Sequence, residues 1–230
     1  MRQVVLDTET TGLDPKDGHR IIEIGALEIV GRRLTERRLH HYLNPERDID
    51  PGALAVHGID NEFLRDKPKF ADIACELLDF VRDAEVIIHN AAFDLEFLDA
   101  ELARVGLPPF ATHCAKVTDS LALARELHPG KRNSLDALCE RYQVNHAHRT
   151  LHGALLDAGL LAEVYLAMTR GQDALAMELD VVASAEELGP LDGADLLVLP
   201  ASAEEAAAHE AILDRIAKEA KVVVWRAAAA

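Results

Sequence analysis

An apolar run that ends in two carboxylates, Val4-Val5-Leu6-Asp7-Thr8-Glu9-Thr10-Thr11-Gly12-Leu13, constrains this chain more than any other stretch. The run reads as a buried strand, and side chains alternate across a strand, so Asp7 and Glu9 project to one side. Two carboxylates held that close repel unless a cation or a proton offsets them. A divalent metal is the simplest remedy, and an oxygen-only ligand set suits Mg²⁺ or Mn²⁺, which complete their shells with waters and substrate phosphates. A solvated strand end shows the same acid-x-acid pattern, so the argument needs further carboxylates.

Two more are present. Glu85 to Asp94 reads as a strand ending at His89, followed by a helix through Leu95, Leu98 and Leu102 that Asp94 opens; an acid there can also simply complement the helix dipole. Asp157, in Leu155-Leu156-Asp157-Ala158, shares a helix face with Leu161, Val164 and Met168 at about 100° per residue, the side that should pack inward. An acid on that face needs a partner. His152 precedes Asp157 by five residues, some 140° away if one regular helix carried both. A helix that begins just after Gly153 leaves His152 instead on a loop able to swing towards the cluster. Histidine titrates near neutral pH and suits a general base there, although most of the 11 histidines must be ordinary surface or satisfied residues.

Together these segments resemble the DEDD family of 3′–5′ exonucleases, in the branch with a histidine base. The resemblance rests on VLDTETTGL, IIHNAAFD, VTDSLALAR, PGKRNSLDALC and RTLHGALLDAGLLAEVYLAM, in that order, and spans most of Met1 to Gln172. It implies a ribonuclease H-like α/β fold, a mixed central sheet flanked by helices. It also implies hydrolysis of the terminal phosphodiester with two divalent ions, Mg²⁺ or Mn²⁺, releasing nucleoside 5′-monophosphates. By the same resemblance Asp7 bridges both ions, Glu9 and Asp157 complete the site of the ion that holds the attacking water, and Asp94 helps hold the other. Ions roughly 3.5–4 Å apart stabilise both the entering and the departing oxygen of an in-line displacement. His152 would deprotonate the water. Asp7, Glu9, Thr10, His57, His89, Asn90, Phe93 and Asp157 would contact the terminal nucleotide, while His57 in Val56-His57-Gly58-Ile59 serves equally well as a loop-stabilising residue.

The expected function is proofreading for a bacterial replicative DNA polymerase, on a single-stranded or frayed DNA 3′ end. Two other readings stay open: a free-standing RNA-trimming exonuclease, and a subunit whose main contribution is to bridge polymerase and clamp. The formal charge of −16 is awkward for nonspecific DNA binding, which comes mainly from lysine and arginine. There are 12 acids against 4 bases after Gln172 and 28 against 20 before it, so neither part is basic. Bound metal offsets some of this charge, and a partner could deliver the strand end. Cys75, Cys114 and Cys139 lie far apart and form no C-x-x-C pair, which suggests neither a zinc knuckle nor a disulfide framework. The first residues enter a strand without a signal-peptide pattern, and no apolar run has membrane-spanning length, so a cytoplasmic, replisome-associated protein is expected.

A coarse pass places strands at Gln3 to Asp7, Ile21 to Val30 and Leu34 to Leu43, with a Gly31-Arg32-Arg33 turn. Helices follow near Pro51 to Val56 and Asp72 to Val81, then the strand ending at His89, the helix from Asp94 and a short strand near His113 to Val117. Helices then dominate to Met168. The exonuclease domain is expected over 1–172, a linker over 173–202 and a partner-binding tail over 203–230. Gln172, Leu175 and Met177 look like the Gln-x-x-Leu-x-apolar peptide that enters a bacterial sliding clamp. Ala203 to Ala220 carries His209, Ile212, Leu213 and Ile216 at helical spacing. With Trp225 as an anchor, this end resembles a polymerase-binding tail. The expected partners are the polymerase catalytic subunit, the clamp and a small third core subunit, with no membrane.

Overall fold

Strands β1 (Arg2–Thr10), β2 (Ile21–Val30), β3 (Arg33–Tyr42), β4 (Glu85–Ile88) and β5 (Lys116–Asp119) form one mixed sheet in the order β3-β2-β1-β4-β5. The structure is a computed structural model that describes residues 2–146, 151–170 and 200–220. β1, β2 and β3 make an antiparallel meander, whereas β4 runs parallel to β1 and β5 parallel to β4. The alternation of strands and helices that predicts an α/β sheet is therefore borne out.

The central strand explains its own sequence. Val4 and Leu6 enter one core with helices α3 (Phe70–Val81) and α4 (Ala91–Arg104). Val5 points the other way, into a core shared with α5 (Ser120–Leu127), α6 (Leu135–Tyr142) and α7 (Ala154–Met168). A strand covered on both faces reads as a continuous apolar run. Each fully buried Val or Leu contributes about 1.5–3 kcal/mol, so the run is anchored until the chain reaches Asp7. β3 lies at the sheet's edge and is mostly exposed, and its Arg33, Glu36, Arg37 and Arg38 discourage edge-to-edge pairing.

Two shorter helices, α1 (Pro51–His57) and α2 (Asn61–Leu64), fill the connection from β3 to α3. Several bounds differ from expectation. β1 continues to Thr10, α3 starts at Phe70, α4 starts at Ala91 and not at Asp94, and the short strand is Lys116–Asp119 and not His113 to Val117. Asn90 precedes α4 in a left-handed conformation, φ 67°, without a side-chain cap, so the usual helix-start signal is missing from the sequence.

α7 lies close across β1 and β2, and Gly25 permits it. A Cβ at Gly25 would lie 2.3 Å from the Leu155 backbone nitrogen. Gly25 pairs with Asp7 in the β1–β2 register, so this close approach occurs beside the first carboxylate. Gly25→Ala should cost about 1–3 kcal/mol of stability, as overpacking does. Turnover should fall with it, because a displaced first turn of α7 carries Asp157 away. A melting temperature and turnover equal to wild type would show that the helix shifts freely.

The described residues fall into two units, one within Met1–Met177 and the other within Glu178–Ala230. In the second, α8 (Ala203–Ala220) begins as expected. Ser202 and Glu205 form a reciprocal capping box, with Glu205 N donating to Ser202 Oγ at 3.2 Å and Ser202 N donating to Glu205 Oε2 at 2.8 Å. Gln172, Leu175, Met177 and Trp225 lie outside the described residues.

Candidate active site

The C-terminal ends of parallel strands β1 and β4 open onto one crevice, the usual ligand position in such sheets. Asp7 and Glu9 lie on the same face as Val5, the side that α7 covers. A register shift between Glu9 and Thr10 bends the strand just past the second acid. Asp157, in the first turn of α7, is only 3% exposed and shares a buried helix face with Leu161, Val164 and Met168, as the helix-face argument requires. One ligand atom from each of Glu9, His152 and Asp157 lies within 4.8 Å of the other two.

His152 precedes α7. The helix starts at Ala154 with Gly153 as its N-cap, so His152 and Asp157 are not bound by one helical repeat. His152 Nδ1 stands 3.4 Å from Asp157 Oδ2, with the side chain 45% exposed. Its backbone N–H donates to Val56 O at 3.1 Å, which ties this segment to α1. Gly153 offers no capping side chain, and Glu23 of β2 supplies the acceptor instead: Ala154 N donates to Glu23 Oε2 at 3.1 Å, while His40 Nε2 lies 2.7 Å from Oε1. A carboxylate at a helix N-terminus is favoured by the helix dipole. Glu23 thus fixes where α7 begins, and with it both His152 and Asp157.

Asp94 arrives from the opposite core. Thr8 alternates away from Asp7 and Glu9, and its Oγ1 donates to Asp94 Oδ1 at 2.7 Å. Asp94 is 3% exposed, and burial pushes its carboxyl up to about 7 against the opposing bond from Thr8. The nearby Asp119 has another task. Its Oδ1 accepts from Asn90 N at 3.2 Å, Leu121 N at 2.8 Å and Ala122 N at 3.3 Å, so it caps α5 and holds the turn before α4. His89 Nδ1 lies 3.0 Å from Ser120 Oγ.

A cleft of about 760 Å³ is lined by Asp7, Glu9, Asp94 and Asp157, together with His152, His89, Asn90 and Phe93. Thr10 and His57 line a neighbouring cavity of about 460 Å³, which shares Glu9 and Phe93 with the cleft. His57 has both roles that its sequence allows. Its Nδ1 accepts from Ile59 N at 3.0 Å and steadies the loop, while Nε2 is buried without a hydrogen bond among the described residues. Burial lowers its pKa, with Glu23 and the Thr10 backbone opposing, so it stands neutral beside that cavity. All eight positions expected to meet a nucleotide therefore lie on two adjoining hollows. Thr8, Glu23 and Gly25 escape a reading of the sequence. Nothing local distinguishes a hydroxyl that holds Asp94, or an acid in β2 whose partner is 131 positions away.

The donor set fits a divalent cation. It is rich in carboxylate oxygen, and Asp94 is a buried acid whose charge a bound cation would restore.

The fold and this cluster define an exonuclease, and the exonuclease family profile (RNase_T) matches residues 4–165. More narrowly, the chain belongs to the DNA polymerase III epsilon subunits. It is 52% identical to DNA polymerase III subunit epsilon of Escherichia coli (strain K12), covering 98% of each chain. It is 43% identical to that of Rickettsia felis, covering 96% of this chain and 99% of the relative. Among solved structures, exonuclease X in complex with 5′ overhanging duplex DNA is 26% identical with a TM-score of 0.59, covering 74% of this chain and 93% of the other. An E. coli exonuclease I–single-stranded DNA complex, 20% identical with a TM-score of 0.66 over 78% of this chain and 42% of the other, shares the fold.

Proposed function

We propose that this 3′–5′ exonuclease removes mispaired 3′-terminal nucleotides from DNA, as 5′-monophosphates, beside a bacterial replicative polymerase. The observation that carries the reading is the convergence of Glu9, Asp157 and His152 within 4.8 Å, in a cleft that also receives Asp7 and Asp94. Asp7, Glu9, Asp94 and Asp157 would hold two divalent cations, Mg²⁺ or Mn²⁺, which when bound stabilise the charge on the entering and departing oxygens. His152 acts as the general base that takes the proton from water, with Asp157 Oδ2 3.4 Å from its Nδ1 to hold the ring in the cleft. Thr8 orients Asp94 by its hydroxyl. Thr10, His57 and Phe93 enclose the terminal nucleotide in the smaller cavity, with His89 and Asn90 on the other side of Phe93 in the larger one.

The domain reading follows. Residues 1–172 are the nuclease, 173–202 a linker, and 203–230 the polymerase-binding tail anchored by Trp225, with Gln172, Leu175 and Met177 forming a clamp-binding peptide across the boundary of nuclease and linker. Supporting the tail, α8 exposes Ile212 (49%) and Ile216 (41%) one turn apart, on a face that a partner surface would cover. A small third subunit on the nuclease core completes the proposed assembly, and the setting is the cytoplasm. Among the described residues no helix is long and apolar enough to cross a membrane.

The test compares mispaired and paired primer ends under single-turnover conditions. The mispaired end should be cut faster, because drawing a paired base out of the stack costs a few kcal/mol. Truncation after Gln172 should keep trimming near normal and abolish copurification with the polymerase catalytic subunit. Equal rates on the two ends would overturn proofreading by this chain, and a truncated core that still bound polymerase as tightly would overturn the tail assignment.

A further inference from the structure

The same cleft carries two cations that the hydrolysis does not use. Arg125, in the last turn of α5, and Lys131, in the loop before α6, both line the cavity that holds Asp7, Glu9, Asp94 and Asp157, with Asp136 of α6 also on its wall. Both are exposed, and neither makes an ion pair among the described residues. Exposed cations without an ion pair, such as Arg33 and Arg104, also occur elsewhere among the described residues of this chain of net charge −16; what sets Arg125 and Lys131 apart is their place beside the carboxylate cluster.

The loop that presents Lys131 is built. Arg141 of α6 reaches back, donating from Nη1 to Asn133 Oδ1 at 2.9 Å and from Nη2 to Arg132 O at 2.7 Å. Asn133, itself buried, donates from Nδ2 to His128 O at 3.4 Å, and His128 Nε2 lies 2.7 Å from the Tyr142 hydroxyl. The turn is closed by Lys131 N donating to His128 O at 3.3 Å. Lys131 therefore stands on a braced turn. At His128, burial first and then the charges of Arg141 and Lys131 lower the imidazole pKa.

We propose that Arg125 and Lys131 form a phosphate-holding rim for the sugar–phosphate backbone of the substrate strand, one or two nucleotides upstream of the bond being cut. This rests on the exonuclease reading above and adds the path of the strand to it. The acids repel the strand they must cut, and these cations offset that repulsion where the strand leaves the site. Phosphate contacts fix register without reading sequence, which suits a nuclease that must accept any 3′ end.

The experiment uses the full chain with Mg²⁺ and two substrates: a single-stranded oligonucleotide, and an aryl ester of a nucleoside 5′-monophosphate, which has no upstream phosphate. For Arg125→Gln, Lys131→Gln and the double variant, kcat/KM on each substrate is measured against salt concentration. The ratio of oligonucleotide to ester kcat/KM should fall roughly 10-fold in the double variant. The slope of log kcat/KM against log salt on the oligonucleotide should become shallower by roughly 0.7 per side chain removed, the value for single strands. An unchanged slope, or an equal loss on both substrates, would overturn the rim. Failure of the wild-type chain to trim an oligonucleotide while hydrolysing the ester would sink the exonuclease reading itself, separately from the variants.

Discussion

Asp94→Asn should abolish metal-dependent cleavage and, at the same time, make the metal-free protein more heat-stable above pH 7. The folded carboxyl keeps its proton up to about 7, whereas the unfolded one releases it near 3.8. Between these values the folded state binds more protons, so metal-free stability falls as pH rises through that window. A rise of that size opposes the charged form by roughly 4 kcal/mol at most. Asparagine keeps an oxygen to accept from Thr8 and carries no charge to desolvate. Each kcal/mol recovered should raise the melting temperature by about 2–4 °C in a chain of this length. Calorimetry without metal from pH 4 to pH 8 should show the two proteins converging at low pH and separating at high pH, with the variant above. A variant no more stable than wild type at pH 8 would mean that Asp94 is not a strained, buried charge. Asp7→Ala, Glu9→Ala and Asp157→Ala should also abolish cleavage, and near-wild-type turnover in any two of the four substitutions would overturn the site.

His152→Ala should slow the chemical step by roughly 10² to 10⁴, the scale of a positioned general base. Stabilisation by Mg²⁺ should persist, since four carboxylates remain. Quenched-flow turnover with saturating oligonucleotide is the measurement. A fully active variant removes His152 from the mechanism, and loss of metal-induced stabilisation would recast it as a ligand, a role that its 3.4 Å approach to Asp157 also permits geometrically.

The most legible parts of the fold are those whose own side chains state their surroundings. β2 has the expected bounds because its apolar run is buried, and α8 because its stripe repeats at helical spacing. Gly153 placed the start of α7 correctly, since only a helix that begins after it brings His152 beside Asp157. Expectation failed where the signal is tertiary. α4 starts three residues before Asp94, at a left-handed Asn90 held by Asp119 from β5, and a bond spanning 29 positions leaves no local trace. Similarly, Glu23 reads as one more polar residue in an apolar strand until its hydrogen bond to Ala154 is seen. The acids are legible because they lie near ends of regular elements, beside apolar runs; the residues that position them are not, because they act across the sheet.

The packing of α7 against β1 also bears on when activity can first exist. Asp7 and Glu9 belong to the first strand, whereas Asp157 and His152 belong to α7, the last helix described in the first unit, and its preceding loop. Contacts of such wide sequence separation need nearly the whole unit to be synthesised before they can form, and closing so long a loop carries an entropic cost. A polypeptide still emerging from the ribosome can hold Asp7, Glu9 and Asp94 without holding the residues that complete the set. On the site proposed above, hydrolytic competence would wait for completion of the domain, and unfinished chains would leave the DNA around them uncut.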